Sequence, residues 1–366
     1  MHAAALALVV ACGRDSRPSS AKALGEAPVR VGVILPLTGT LAEMGFYERH
    51  AMELALSRFG VRDVRLLYED SRSTPAAAAA AANKLISVDG VRLLVVSTTG
   101  AALAVQPVAN AASVPLIAFC MDPTITANDS STVRFYIGVE EEADELLRYL
   151  ETLQRTERVA VLHAAVPVWR KIMESTYLPR LRQHFERPTL VEEYELQEKD
   201  FRAALGRIAK SGATTLVVLG YGFEYPGMFK QMEELGLRRS LTRIVGGWGF
   251  LYAPLSAAQL EGVIVAGPQY VFSRSAAADS FANAFETAVK RPANFDAAFA
   301  YELVRTLPDL RASGALTDST IKRGVQALGT HKGVVGEYHF TARGDMIVQT
   351  GLGAYRAGRL EPFGGR

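Results

Sequence analysis

Cysteine is nearly missing. The 366-residue chain holds two, Cys12 and Cys120, in contexts too different to pair, which leaves no disulfide framework. No CxxC pair or Cys/His cluster occurs, so zinc has no support. The six histidines (His2, His50, His163, His184, His331 and His339) show neither HExxH nor H-x3-H spacing, and surface or structural roles are expected for each. A surplus of one charge is missing too. Forty Lys and Arg against 38 Asp and Glu leave +2 at pH 7, with the signs interleaved and no arginine-rich arm, which argues against a nucleic-acid partner. No GxGxxG follows a strand, no Walker loop occurs, and the loops that follow the strands hold no nucleophile–base pair. The expectation is a non-enzyme with no metal and no other cofactor.

What is present is an ordinary folding composition, 49% hydrophobic and 21% charged. The length suits two lobes of roughly 150 residues each. The opening "MHAAALALVVACGRDSRPSSAKALGEAP" runs apolar from 3 to 11, stops at Cys12 and turns polar. That run is far below the roughly 20 residues needed to span a bilayer, and no other segment is a candidate span. It reads as an export signal (1–11) and a tether (12–28). Val9-Val10-Ala11-Cys12 resembles a bacterial lipobox, which implies cleavage before Cys12 and a lipid on its sulfur. The alternative is a plain secretory signal with an incidental cysteine, and the leader carries no Lys or Arg.

From Val29 onward, short β-branched runs alternate with helical patterns, the rhythm of an α/β chain with parallel sheets. "VRVGVILPL", "VRLLYED", "VRLLVVST", "VPLIAFC", "VRFYIGV", "RVAVLHA", "TLVVLGYG", "TRIVGGW" and "GVIVAGP" read as strands. In "STPAAAAAAANKLISVDG", Thr74 is placed to cap a helix, Pro75 suits its first turn, and seven alanines supply propensity. Ligands of open parallel sheets bind beyond the carboxyl ends of strands. Five loops qualify: "PLTGTLAEMG", "STTGAALA", "AFCMDPTIT", "GYGFEYPG" and "IVGGWGFLY". All are rich in small residues and hydroxyls and poor in acid–base groups.

The order and spacing of "GVILPLTGTLAEMG", the Pro75 and alanine helix, "STTGAALAVQPVANAASVPLIA", "DPTIT" and "GVVGEYHFTARGDMIV" resemble the substrate-binding proteins of branched-chain amino-acid-type ABC transporters, the type I periplasmic binding proteins. The resemblance runs from Val29 to the C-terminus. It implies a bilobed clamshell of two doubly wound parallel-sheet lobes, joined by a three-crossover hinge and closing on a ligand. The first lobe would take 29–139 and 270–328, the second 140–269 and 329–366.

The resemblance also implies site residues. Ser97, Thr98, Thr99 and Gly100 would hold a ligand carboxylate at a helix N-terminus, with Thr99 the side-chain contact; the other reading is a plain helix cap. Phe119, Cys120 and Met121 stand in a loop that faces the ligand in relatives, although Cys120 reads equally as a small buried hydrophobe. In the same loop, Asp122 meets a ligand cation or caps a turn. Met44 would pack on the ligand's apolar part, or in the core with Met52, and Tyr221 would present an aromatic ring. Trp248 falls where amino-acid binders place a glutamate for the ligand ammonium, so an aromatic or otherwise flat carboxylate is expected instead. The alternative buries Trp248 in the core beside Phe250 and Tyr252. The implied role is a periplasmic, lipid-anchored receptor that delivers a small solute to an ABC permease and its ATPase. A ligand sensor of the same fold is the alternative.

Overall fold

A computed structural model describes residues 28–364 apart from 128, 315 and 317–319. The expected signal, the Cys12 lipid site and the tether up to residue 27 lie outside the described residues. The strands are β1 (Val29–Leu35), β2 (Val64–Asp70), β3 (Leu93–Ser97), β4 (Leu116–Phe119), β5 (Thr132–Arg134), β6 (Val159–Ala164), β7 (Leu190–Tyr194), β8 (Thr215–Leu219), β9 (Arg243–Gly246), β10 (Ile264–Pro268), β11 (His331–Gly333), β12 (Gly336–Phe340), β13 (Met346–Val348), β14 (Thr350–Arg356) and β15 (Arg359–Pro362). The first sheet is parallel, in the order β2-β1-β3-β4-β5. The second runs β15-β14-β10-β9-β8-β6-β7, with β14 antiparallel to both its neighbours.

The central strands are apolar throughout because helices cover both faces, as in β3 and β8, where every residue is buried. Period-two alternation sorts their side chains. Val31, Val33 and Leu35 of β1 join Tyr47, Ala51 and Met52 of α1 (Ala42–Phe59), whereas Ile34 joins Ala78, Ala82 and Leu85 of α2 (Pro75–Ser87). Each fully buried Val or Leu contributes roughly 1.5–3 kcal/mol. The alanines of α2 give a thin helix that lies close on α3 (Thr99–Ala111) and on the sheet. Thr74 Oγ1 accepts the Ala77 N–H and Pro75 opens the helix. At the start of α1, a Cβ on Gly45 would stand 2.3 Å from the Pro36 carbonyl oxygen, so only glycine lets the helix sit this near the end of β1.

The chain passes between the sheets three times, after β5, after β10 and between β13 and β14. The strand expected over "VRFYIGV" ends at Arg134, since the following residues leave the sheet to make the first crossing. The segment 329–348, expected with the second lobe, packs with the first. Strands β11-β12-β13 form a small antiparallel sheet whose end meets β5 through an Arg134–Asp345 bridge. A buried cation decides this placement. Arg134 Nε donates to Asp345 Oδ1 at 3.0 Å, Thr126 Oγ1 donates to the same oxygen at 2.6 Å, and Glu141 of the second lobe lies 3.7 Å from the guanidinium. The second lobe resumes only at β14.

Arg134→Met is expected to lower unfolding free energy by about 3–5 kcal/mol, because it removes the buried cation from Asp345 and leaves that carboxylate only Arg343, an exposed arginine, as an ionic partner. Urea denaturation measures this, and a loss within about 0.5 kcal/mol, as at an ordinary surface position, refutes the role given to Arg134.

Candidate functional site

The carboxyl ends of β1, β3 and β4 face those of β6, β8 and β9 across a cavity of about 880 Å³. Parallel strands produce this geometry, since every strand must end at the same edge before its helix returns.

On the first-lobe side, the start of α3 is strained. Thr98 has φ 81° and ψ 142°, an unfavourable region for a β-branched residue, and its Oγ1 accepts the Ala101 N–H at 3.4 Å. Thr99 Oγ1 accepts the Met121 N–H at 3.3 Å, tying this turn to the next loop and leaving the hydroxyl proton to donate. The N–H groups of Thr99 and Gly100 have no partner among the described residues. Capping and a cavity-facing position therefore coexist here, with Thr98 as the cap. The cavity is lined by Ser97, Thr98, Thr99 and Gly100, and by Met44, whose sulfur lies 3.8 Å from Ser97 Oγ. Met52 belongs to the core.

Phe119 and Met121 of the next loop line the cavity, whereas Cys120 does not. It is fully buried and packs with Ile34, Val96 and Ala118, its thiol lying behind the cavity wall within reach of Thr99 and Tyr221, and burial pushes that thiol up to about 11. Of the three residues expected in this loop, Cys120 is therefore the one without a surface on the cavity. Asp122 caps the following turn, accepting from the Thr124 N–H and hydroxyl.

The second lobe contributes aromatic rings. Trp248 is 7% exposed and lines the cavity, with edge-on contacts to Tyr221 (5.6 Å) and Tyr252 (5.5 Å). It therefore packs against Tyr252 and faces the cleft at once, while Phe250 sits deeper with Tyr225 and Phe229. The loops bearing Tyr221 and Trp248 touch. Gly222 has φ +95°, and a Cβ there would meet the Gly249 oxygen at 2.2 Å. Glu224 holds Tyr221 by accepting its backbone N–H at 2.8 Å. Glu142 holds Trp248 in the same way at 2.6 Å. Burial pushes the Glu142 carboxyl up to about 8.

Sequence reasoning missed Glu48, Tyr136, Trp169, Tyr252, Tyr270 and Arg274, which also line the cavity. Trp169 follows β6, where the strand-end rule would have found it. Glu48 carried no signal, being one polar position on an amphipathic helix. Tyr252, from the second lobe, donates a hydrogen bond to Asp296 of the first. Tyr136 donates to Asp296 Oδ1 at 2.5 Å and Asn294 Nδ2 to Oδ2 at 3.1 Å. Among charged lining residues, Glu43 lies at the exposed rim near Arg291, and Arg274 stands over the Tyr270 ring. No His, Cys, Asp and Glu group able to hold a metal occurs among the described residues.

Two sheets with their strand ends opposed across an aromatic cavity define a two-lobed clamshell of the ligand-binding kind. The chain belongs to the periplasmic binding protein family, whose model matches residues 28–357. It is 24% identical over 333 residues to Leu/Ile/Val-binding protein homolog 2 of Brucella abortus, covering 87% of this chain and 88% of that protein. The fold is similar to the branched-chain amino acid transporter substrate binding protein LivJ from Streptococcus pneumoniae in complex with isoleucine. There the TM-score is 0.76 at 22% identity, covering 91% of this chain and 97% of the other. It is similar also to a solute binding protein of an ABC transporter from Rhodopseudomonas palustris in complex with 3,4-dihydroxy benzoic acid, with TM-score 0.76, 20% identity and coverage of 90% and 93%. The family and these neighbours are solute-binding proteins, not enzymes.

The Glu142 environment has a measurable sign. A carboxyl whose pKa is raised on folding keeps its proton while the unfolded chain has already released one, so stability falls as pH rises from about 4.5 to about 8. Glu142→Gln keeps an acceptor for the Trp248 N–H and removes that slope. Urea midpoints at pH 5 and pH 8 are expected to differ less in the variant than in the parent; parallel midpoints would contradict a buried, raised Glu142.

Proposed function

We propose that this chain captures a small organic carboxylate with a flat, apolar body and delivers it to an ABC permease on the outer side of the cytoplasmic membrane. The observation that carries the reading is the strained start of α3. Two unpartnered N–H groups, at Thr99 and Gly100, open there into a cavity walled by aromatic rings. A helix N-terminus favours an anion, and hydrogen bonds to a charged group contribute about 1.5–3 kcal/mol. Trp248, Tyr221 and Trp169 supply flat apolar contact and indole donors. Ligands named for similar proteins, isoleucine and 3,4-dihydroxy benzoic acid, are carboxylates, which fits this division of labour. The Tyr252 hydroxyl on Asp296 joins the lobes across the cleft, as a hinge-closing receptor requires.

Export and anchoring belong to the same reading. Residues 1–11 act as the signal and Cys12 carries the lipid, with 12–28 as the tether. No described helix is long and apolar enough to cross a membrane. A Cys12→Ala variant is expected to move from the membrane pellet to the soluble fraction after cell fractionation; unchanged partitioning removes the lipid anchor.

Titration of the purified full-length protein with leucine, valine, amides, urea and aromatic carboxylates tests the ligand assignment. Intrinsic fluorescence and thermal stability are followed together in the parent, Trp169→Phe and Trp248→Phe. Saturable binding of an aromatic carboxylate, with a fluorescence change that disappears in Trp248→Phe, is expected. Binding confined to uncharged amides or urea ends the carboxylate reading. Tight leucine or valine binding with Trp248 silent ends the aromatic one.

A further inference from the structure

The cavity wall carries more buried hydrogen-bond donors than it uses. Among the described lining residues, the side-chain groups buried without a partner are the indole N–H of Trp169 and of Trp248, the hydroxyl of Tyr270, and Oε2 of Glu48. All but the last can donate, so an occupant that matches this wall brings acceptors in addition to the carboxylate at α3. Charge points the same way. Glu43 lies 3.7 Å from Arg291, and Glu48 accepts the Ser97 hydroxyl at 2.6 Å. Arg274, the one Lys, Arg or His among the described lining residues, is exposed and meets no hydrogen-bond acceptor or acid among them. Its guanidinium carbon stands 5.2 Å from the centre of the Tyr270 ring. Tyr270 is 2% exposed and sits on the short helix Gln269–Phe272, so a cation and a neutral donor stand together where the chain makes its second crossing. Burial pushes the Tyr270 hydroxyl up to about 12, against a lowering effect of Arg274, and it therefore keeps its proton at neutral pH. Asp279, on the helix Ala276–Val289, is the other charge acting on Tyr270, and it forms no ion pair with Arg274.

We propose that Arg274 and Tyr270 form a second anion subsite of the cleft, which takes a second carboxylate of the ligand. The ligand is then an aromatic dicarboxylate, with one acid at the start of α3 and the other at Arg274. The inference rests on the carboxylate reading above and narrows it. A guanidinium grips a carboxylate through paired N–H bonds, and a hydroxyl beside it adds a further donor. The cavity of about 880 Å³ lies towards the upper end of the roughly 300–1,000 Å³ usual for small-molecule sites, which leaves room for a ring that carries two acids. Exposure of Arg274 helps as well. A carboxylate that pairs there keeps part of its water, so the desolvation cost of the pair stays below that of a buried one.

Calorimetric titration of the full-length protein tests this with benzene-1,3- and benzene-1,4-dicarboxylate, each compared with its own monoamide, 3- or 4-carbamoylbenzoate. The members of each pair share the ring and nearly the same size, and differ in the second charge. At least one dicarboxylate is expected to bind about tenfold or more tightly than its monoamide. That ratio is expected to fall towards one in Arg274→Gln, which removes the charge at an exposed position. It is expected to fall in part in Tyr270→Phe, which keeps the ring under Arg274 and removes a hydroxyl with no partner to lose. Monoamides that bind as tightly as the dicarboxylates, or a ratio unchanged in either variant, overturn the subsite and leave the single-carboxylate reading standing. Binding of benzoate without either dicarboxylate has the same consequence. If none of these compounds binds, and neither benzoate nor leucine does, the carboxylate reading falls and the subsite with it.

Discussion

Everything in this molecule depends on the geometry of parallel strands. They cannot be joined by hairpins, so each returns through a helix and all their carboxyl ends gather at one edge. Two such sheets, joined by three crossings, bring two of those edges together. The cleft is therefore a by-product of strand direction, and its chemistry is whatever the strand-end loops carry. In the first lobe they carry small residues, hydroxyls and open backbone N–H groups at Thr99 and Gly100. In the second they carry Trp169, Tyr221 and Trp248. The polar donors come from the first lobe, and the apolar area is shared between these rings and Met44, Phe119 and Met121 of the first lobe.

Order in that cleft is held by polar groups, two of them buried behind its walls and one, Thr99, on the wall itself. Glu142 fixes the Trp248 backbone, Glu224 fixes that of Tyr221, and Thr99 ties α3 to Met121. Each is a single hydrogen bond in a low-dielectric setting, where leaving it unmade is costly. The same rule governs the hinge. Arg134 is buried where the first lobe, the small β11-β12-β13 sheet and Glu141 of the second lobe meet. A buried guanidinium must keep its carboxylates close, so the chain is pinned where it crosses, while across the cleft the lobes are joined by the Tyr252 hydroxyl on Asp296.

The fold and the rim of the cleft were legible in the sequence because periodicity and strand-end position are local properties. Thr74, Pro75 and the alanines mark α2 without help from the rest of the chain, and "STTG" marks a helix start beyond a strand. Cys120 shows where local reading ends. Its neighbours Phe119 and Met121 line the cavity and it does not, because just past the end of β4 its short side chain is buried behind the wall. Glu48 gave no signal at all, since a polar residue on a helix is ordinary until Ser97 and Asp296 are brought beside it.

By itself, the sequence determined the α/β class, the parallel sheets and the position of the loops that line the cleft. These follow from hydrophobic period, capping residues and composition, which act over a few residues at a time. Only the tertiary structure decided that residues 329–348 pack with the first lobe, that Cys120 belongs to the core, and that Trp248 both packs and faces the cleft. Only it placed the buried acids Glu48 and Asp296 together. Those outcomes depend on contacts between segments as much as 250 residues apart, where the cost of an unpaired buried charge outweighs any local preference.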